Sequence, residues 1–286
     1  MTLTADFTFL YSDTGQILNT DPVGNSPFVD ITKVTGLDST PLRITEHQRE
    51  GMDGGFIDSQ FEGMRLIVLD GFIYNATETF LDTLKANFAP SQIAKPFYFK
   101  APVVGERIIY AKSYGINYPW DRSRGALGIV AFQIQLKCED PSIYGPVNTG
   151  STIIGGASTG VGWPIGFGLG FGGTTSTNGT VSVNNLGNKN ADCTFTIYGP
   201  VTNPAISNDT LGTKITFNIV LASTDTLTVN LRNKTVILNS TANRRGTMLG
   251  TSKWFLLQPG VNSIRFLGTP GASAPSMTYN TRPAYR

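Results

Sequence analysis

Apolar and polar residues alternate in short runs along most of the chain. From Phe28, FVDITKVTGLDSTPLRITEHQ alternates and breaks at turn residues, and EGMDGGFIDSQFEGMRLIVLDGFIY continues it, with Gly51, Gly54 and Gly55 available for a tight turn. A two-residue period punctuated in this way predicts strand, turn, strand. The period then changes. In NATETFLDTLKANFAP, Phe80, Leu81, Leu84 and Phe88 recur at helical spacing, Asn75 or Thr77 can cap the start, and Pro90 ends the run, so one helix is expected here. KPFYFKAPVV, ERIIYAKSYGINY and ALGIVAFQIQLKCEDPSIYG read as further strands, and in the last of these Phe132, Ile134, Leu136 and Cys138 alternate with polar neighbours. A first domain over residues 1–145 is expected to close near Gly145.

Residues 146–180 break the pattern with low-complexity Gly, Ser and Thr in which Trp163, Phe167 and Phe171 are embedded. Gly168, Gly170 and Gly173 have the G-x-G-x-x-G spacing of a dinucleotide loop. Such a loop has to follow a strand, open a helix and be followed about 20 residues later by an acid. Here a turn and a strand follow, and the next acid is Asp192, so the context excludes that cofactor. A flexible linker would lack the large apolar groups. The stretch is therefore expected to be an extended connector whose Trp163, Phe167 and Phe171 dock on a neighbouring domain or subunit. Evenly spaced strand signals resume over residues 181–286 and predict a sandwich or jelly roll.

Composition sharpens this all-β reading. Of the 286 residues 15% are charged, below the roughly 25% of an average globular chain, while 32 Gly and 16 Pro suit many short turns. The net charge of +2 is unevenly spread: residues 1–145 carry 17 acids and 12 bases, and residues 146–286 carry 3 and 10. That asymmetry suits orientation toward an assembly partner, and it is too mild and dispersed for nucleic-acid recognition. The first residues lack the pattern of a signal peptide and no segment offers about 20 apolar residues, so no membrane insertion is expected and the chain is expected to stay in the cytosol that makes it. Cys138 and Cys193 are too few for a disulfide framework and are expected to be buried free thiols. The sequons at Asn75, Asn178, Asn208, Asn233 and Asn239 carry no weight without a secretory route.

Catalytic chemistry is poorly supplied. The chain's single histidine, His47, lies between Glu46 and Glu50 and is expected to be a solvent-exposed residue at a strand edge, since no partner motif for a metal or a triad accompanies it. Asp53 and Asp58 could flank a glycosidic bond only at a set separation, and read more simply as turn and surface acids. The second half holds only Asp192, Asp209 and Asp225 as acids. No P-loop, G-x-S-x-G or E-x-x-H motif occurs. No enzyme, metal or cofactor is expected.

With these residues in view, the chain resembles the distal tail proteins of long-tailed bacteriophages. In the first unit, VTGLDSTPLRITEHQREGMDGGFIDSQFEGMRLIVLDGFIY, the helix, and a strand ending in Asp140-Pro141-x-x-Tyr144 carry the likeness. In the second it rests on IYGPVTNPAISN, DTLTVNLRNKTVILN and SKWFLLQPGVNSIRF, with Gly199-Pro200, Asn203-Pro204 and Pro259-Gly260-x-Asn262 in family order. Ser223 to Thr235 departs from the family pattern, which shows a Gly-Asp pair there. The resemblance implies a mainly β protein with an N-terminal split-barrel-like domain bearing one helix and a C-terminal galectin-like sandwich. It also implies a homo-hexameric ring at the virion tail tip, assembled in the host cytoplasm, with the tail tube protein, the tail-tip hub and the tape measure protein as partners. A carbohydrate-binding module is the alternative reading, with Trp254 and Tyr279 as candidate glycan contacts; packing under a loop is the more ordinary role for Trp254.

Overall fold

In a computed structural model, residues 3–12, 15, 17–20, 26–119, 125, 127–154 and 178–286 are described. The chain divides into two compact units, Met1–Pro146 and Val147–Tyr285.

The first unit contains β1 (Phe9–Tyr11), β2 (Ile17–Leu18), β3 (Phe28–Thr35), β4 (Leu42–Gln48), β5 (Gly55–Glu62), β6 (Arg65–Tyr74), α1 (Glu78–Asn87), β7 (Lys95–Ala101), β8 (Gly105–Asn117), β9 (Val130–Cys138) and β10 (Ile143–Tyr144). One antiparallel sheet runs β2-β1-β7-β8-β9-β6-β3, and β10 adds to β8 at Tyr144 and Ile108. Alternation sets its inner face. Ile67, Leu69 and Ile73 of β6 point inward with Ile134, Leu136 and Cys138 of β9, all fully buried. The helix covers this face: Phe88 stacks on Tyr11 at 5.2 Å, its carbonyl accepts from the Ser113 hydroxyl at 2.7 Å, and Leu84 is buried. Thr77, and not Asn75, caps the helix, its hydroxyl accepting from the Phe80 N–H.

The sheet curls until its outer strands approach, and one residue after β2 joins them. Asn19 sits at φ +63°, donates its backbone N–H to the Val29 carbonyl at 3.1 Å, accepts the Ile31 N–H on Oδ1 at 2.6 Å, and donates from Nδ2 to the Phe7 carbonyl at 3.0 Å. This is the seam of a split barrel. A second fastening lies at the far end of the unit. Arg65 is wholly buried, its Nε on the Pro141 carbonyl and its Nη1 on the Gly36 and Leu37 carbonyls, and burial lowers its pKa. Asp140 accepts from the Ser142 N–H and the Tyr144 hydroxyl. The Asp-Pro-x-x-Tyr signature is thus a turn that offers its proline carbonyl to a buried guanidinium.

The second unit contains β11 (Asn148–Ile153), β12 (Asn178–Asn185), β13 (Cys193–Tyr198), β14 (Val201–Asn208), β15 (Thr213–Thr216), β16 (Val220–Leu221), β17 (Thr226–Asn230), β18 (Thr235–Leu238), β19 (Ala242–Asn243), β20 (Gly260–Pro270) and β21 (Ser276–Thr281). Two antiparallel sheets form, β11-β21-β13-β17-β18-β19 and β12-β20-β14-β15 with β16 on β14. Phe195, Ile197, Leu227 and Val229 of the first sheet and Ile206, Ile215, Ile264 and Phe266 of the second are fully buried, the two inner faces of a sandwich. The segment Ser223 to Thr235, which departs from the family pattern, still folds as β17 in register with β13.

The stretch expected to be a connector is entered from both sides by strands. Asn148–Ile153 pairs with β21, and β12 begins at Asn178. Both thiols are buried, and burial pushes Cys138 up to about 12 and raises Cys193 further. Among the described residues no helix is long and apolar enough to cross a membrane.

Two predictions follow from these contacts. Asn19→Ala removes two side-chain hydrogen bonds from the seam and is expected to cost about 1–3 kcal/mol, with Asn19→Gly, which tolerates the positive φ, losing less; denaturant titration followed by circular dichroism checks both. The thiols predict a direction with pH. Unfolded cysteines ionise near about 8.5 and the folded ones resist. Stability is therefore at its full value below that pH and declines as pH rises from there toward about 12. Cys138→Ala with Cys193→Ala is expected to flatten this alkaline loss, read as denaturation midpoints between pH 8 and 10.5.

Candidate functional site

Strands β4 and β5 form a two-stranded sheet of their own. Locally the sequence makes a hairpin: β-branched and aromatic residues flank a turn in which Arg49 donates its N–H to the Gly54 carbonyl, with Gly51 and Gly54 at positive φ. Its pairing matches Leu42 to Glu62, Arg43 to Phe61, Ile44 to Gln60 and Thr45 to Ser59, then slips so that Glu46 faces Ile57 and His47 faces Phe56. Asp58 is left as the bulged residue. Leu42, Ile44 and Ile57 consequently share one face, while Phe56 and Phe61 share the other. No residue of either strand is buried, and Phe56, Ile57 and Phe61 are each about 60% exposed.

A lone hairpin is marginal in water, and each face of this one exposes large apolar groups among polar ones: Glu46, Gln60 and Glu62 accompany Leu42, Ile44 and Ile57, and Arg43, Thr45 and Ser59 accompany Phe56 and Phe61. The Arg49 guanidinium lies 4.3 Å from the Phe56 ring centroid, covering a small part of it. His47 is exposed on β4, Asp53 lies in the turn and Asp58 at the bulge. The alternation predicts this strand, turn, strand and is silent on its exposure. The adjacent pair Phe56-Ile57 is the local signal for apolar groups on both faces, because neighbours on a strand point to opposite faces.

The other candidate residues fall in different places. Trp163, Phe167 and Phe171 lie outside the described residues. Trp254 is half-buried and lines an open cleft of about 440 Å³ with Asn190, Asp192, Arg232, Lys234 and Gln258. Tyr279 is not in that cleft. It is 7% exposed, its hydroxyl lies 3.5 Å from Asn148 Oδ1, burial raises its pKa, and its ring covers Gly150 so closely that a Cβ there would sit 2.6 Å from it. The structure thus withdraws Tyr279 as a glycan contact, because β21 turns it into the sandwich core. The three acids of the second unit are held separately: Asp192 pairs with Arg232 at 3.5 Å, Asp209 with Arg265 at 2.8 Å, and Asp225 accepts from the Ala222 N–H and the Asn239 amide. Among the described residues no group of three or more His, Cys, Asp or Glu side chains could hold a metal.

Comparison with known proteins identifies a domain in the second unit. Residues 186–282 match the family model of the siphovirus-type tail component, C-terminal domain. The second unit thus carries the domain of that family model, over about a third of the chain. Among solved structures, the crystal structure of the SPP1 Dit protein, described as a paradigm of the hub adsorption apparatus in phages infecting Gram-positive bacteria, shares the fold. It has a TM-score of 0.65 at 18% identity over 97% of this chain and 98% of that one. Two structures of the phage P2 baseplate in its activated conformation, with Ca and with Sr, each give a TM-score of 0.49 at 10% identity. They cover 94% and 96% of this chain and 100% and 98% of theirs. No curated protein sequence matches. The tail-component domain over residues 186–282 supports a structural role in a phage tail or baseplate.

The exposed hairpin predicts a protease footprint. Trypsin acting on unassembled protein is expected to cut first after Arg43 or Arg49, ahead of sites within β7 to β9, and both hairpin sites are expected to be protected in assembled particles; mass spectrometry of timed digests reads the order.

Proposed function

We propose that this distal tail protein closes head to tail into a six-fold ring that joins the tail tube to the tail-tip hub. The exposed two-faced hairpin carries the reading. A heterologous contact uses two different patches of one chain, so an apolar arm on each copy can be covered by the next until rotation closes the ring. The number six comes from the family resemblance. The role is one of assembly without catalysis, with the tube protein, the hub and the tape measure protein as neighbours in the virion tail. The acidic first half and basic second half suit an adaptor that meets different partners at different surfaces.

The test is the mass of full-length protein by light scattering, with negative-stain imaging of the same fraction, alone and with its tube protein. A closed six-fold ring is expected. Phe56→Asp with Phe61→Asp is expected to leave a monomer of unchanged circular dichroism. A chain that stays monomeric under both conditions, or a double variant that assembles like the parent, would overturn the proposal.

A further inference from the structure

The Trp254 cleft belongs to the second unit and is built by the ends of strands. Four connections of the second unit meet there: Asn190 and Asp192 ahead of β13, Leu211 between β14 and β15, Arg232 and Lys234 between β17 and β18, and Trp254 to Gln258 ahead of β20. The pairings Asn208 with Ile264 and Thr194 with Asn230 place these strand ends at one end of the sandwich. Loops converging on one end of a rigid β-scaffold are where such folds carry binding residues.

These loops are held in place by buried amides. Asn185 donates from Nδ2 to the Lys189 and Leu257 carbonyls and accepts the Gly187 N–H. Asn262 donates to the Gln258 and Gly260 carbonyls and accepts the Gln258 N–H, fixing the segment behind Trp254. Asn208 donates to Asn262 Oδ1 at 3.4 Å and accepts the Leu211 N–H. All three asparagines are buried, at 1% exposure or less. Reciprocal backbone bonds between Ala191 and Leu257 tie the first and last loops together, and Phe255 anchors against Phe195. The cleft is therefore shaped before any ligand arrives.

Its chemistry is mixed. One wall is the half-buried indole with Leu211 and Leu256, and the polar groups are two amides, the Asp192–Arg232 pair and the exposed Lys234. Sugars combine an apolar ring face with a rim of hydroxyls, and an aromatic wall beside planar amides and a carboxylate meets both needs. The walls are loop side chains, so no strand edge lines the cleft for an extended peptide to extend. One carboxylate faces two cationic groups. About 440 Å³ lies within the usual range of ligand sites, roughly 300–1,000 Å³.

We infer that this cleft binds a short glycan bearing a carboxylate or phosphate, with the sugar face on Trp254 and the anionic group beside Arg232 and Lys234. The inference does not rest on ring formation. Full-length protein is probed on an array of neutral, uronate-bearing and phosphate-bearing oligosaccharides, and the best probe is titrated by calorimetry. Saturable binding of an anionic probe is expected. Trp254→Ala should weaken it about tenfold or more, and the exposed Lys234→Gln should weaken anionic probes severalfold with an unchanged melting temperature. The inference is overturned if no probe binds at about 1 mM, if only neutral probes bind, or if both variants bind like the parent. It is equally overturned if Trp254→Ala abolishes assembly while the parent binds no probe, which would make the cleft a contact between subunits.

Discussion

An antiparallel sheet leaves a row of unpaired N–H and C=O groups along each outer strand, and proteins must close, cover or use that edge. In the first unit Asn19 closes it. Its positive φ turns the chain back toward β3, and its backbone and side chain together make three bonds with Val29, Ile31 and Phe7. The curled sheet can then hold α1 on its inner face. The β4–β5 hairpin stands outside this closure, with large apolar side chains exposed on both of its faces.

The second unit meets the same demand with the same kind of side chain. Its loops are irregular, so their backbone groups cannot find partners in a ladder, and Asn185, Asn208 and Asn262 supply them from within. An amide carries donor and acceptor without charge, so it can be buried at far lower cost than a carboxylate or an ammonium. This explains how a cleft assembled from four separate loops keeps a defined shape.

The two units therefore present different surfaces to the outside. One offers an arm with large apolar side chains exposed on both faces, suited to a neighbour that covers them. The other offers an open, prearranged cleft of mixed polarity, suited to a ligand that comes and goes. Lasting assembly and reversible ligand binding make separate demands, and the two surfaces differ accordingly.

The helix at Glu78–Asn87 and most strands could be read from the chain alone, because a 3.6-residue period, a two-residue period and their capping and turn residues are local properties. The order of turn signatures, from Asp140-Pro141 to Pro259-Gly260, was likewise enough to suggest the family. Alternation states which residues share a face and is silent on what covers that face. For that reason the exposure of the hairpin and the burial of Tyr279 could not be read locally, and β11 was hidden in a Gly- and Thr-rich stretch whose partner β21 lies far along the chain. Burial, the two faces of the hairpin and the meeting of four loops at Trp254 were decided by long-range pairing, which brings together residues that no local pattern connects.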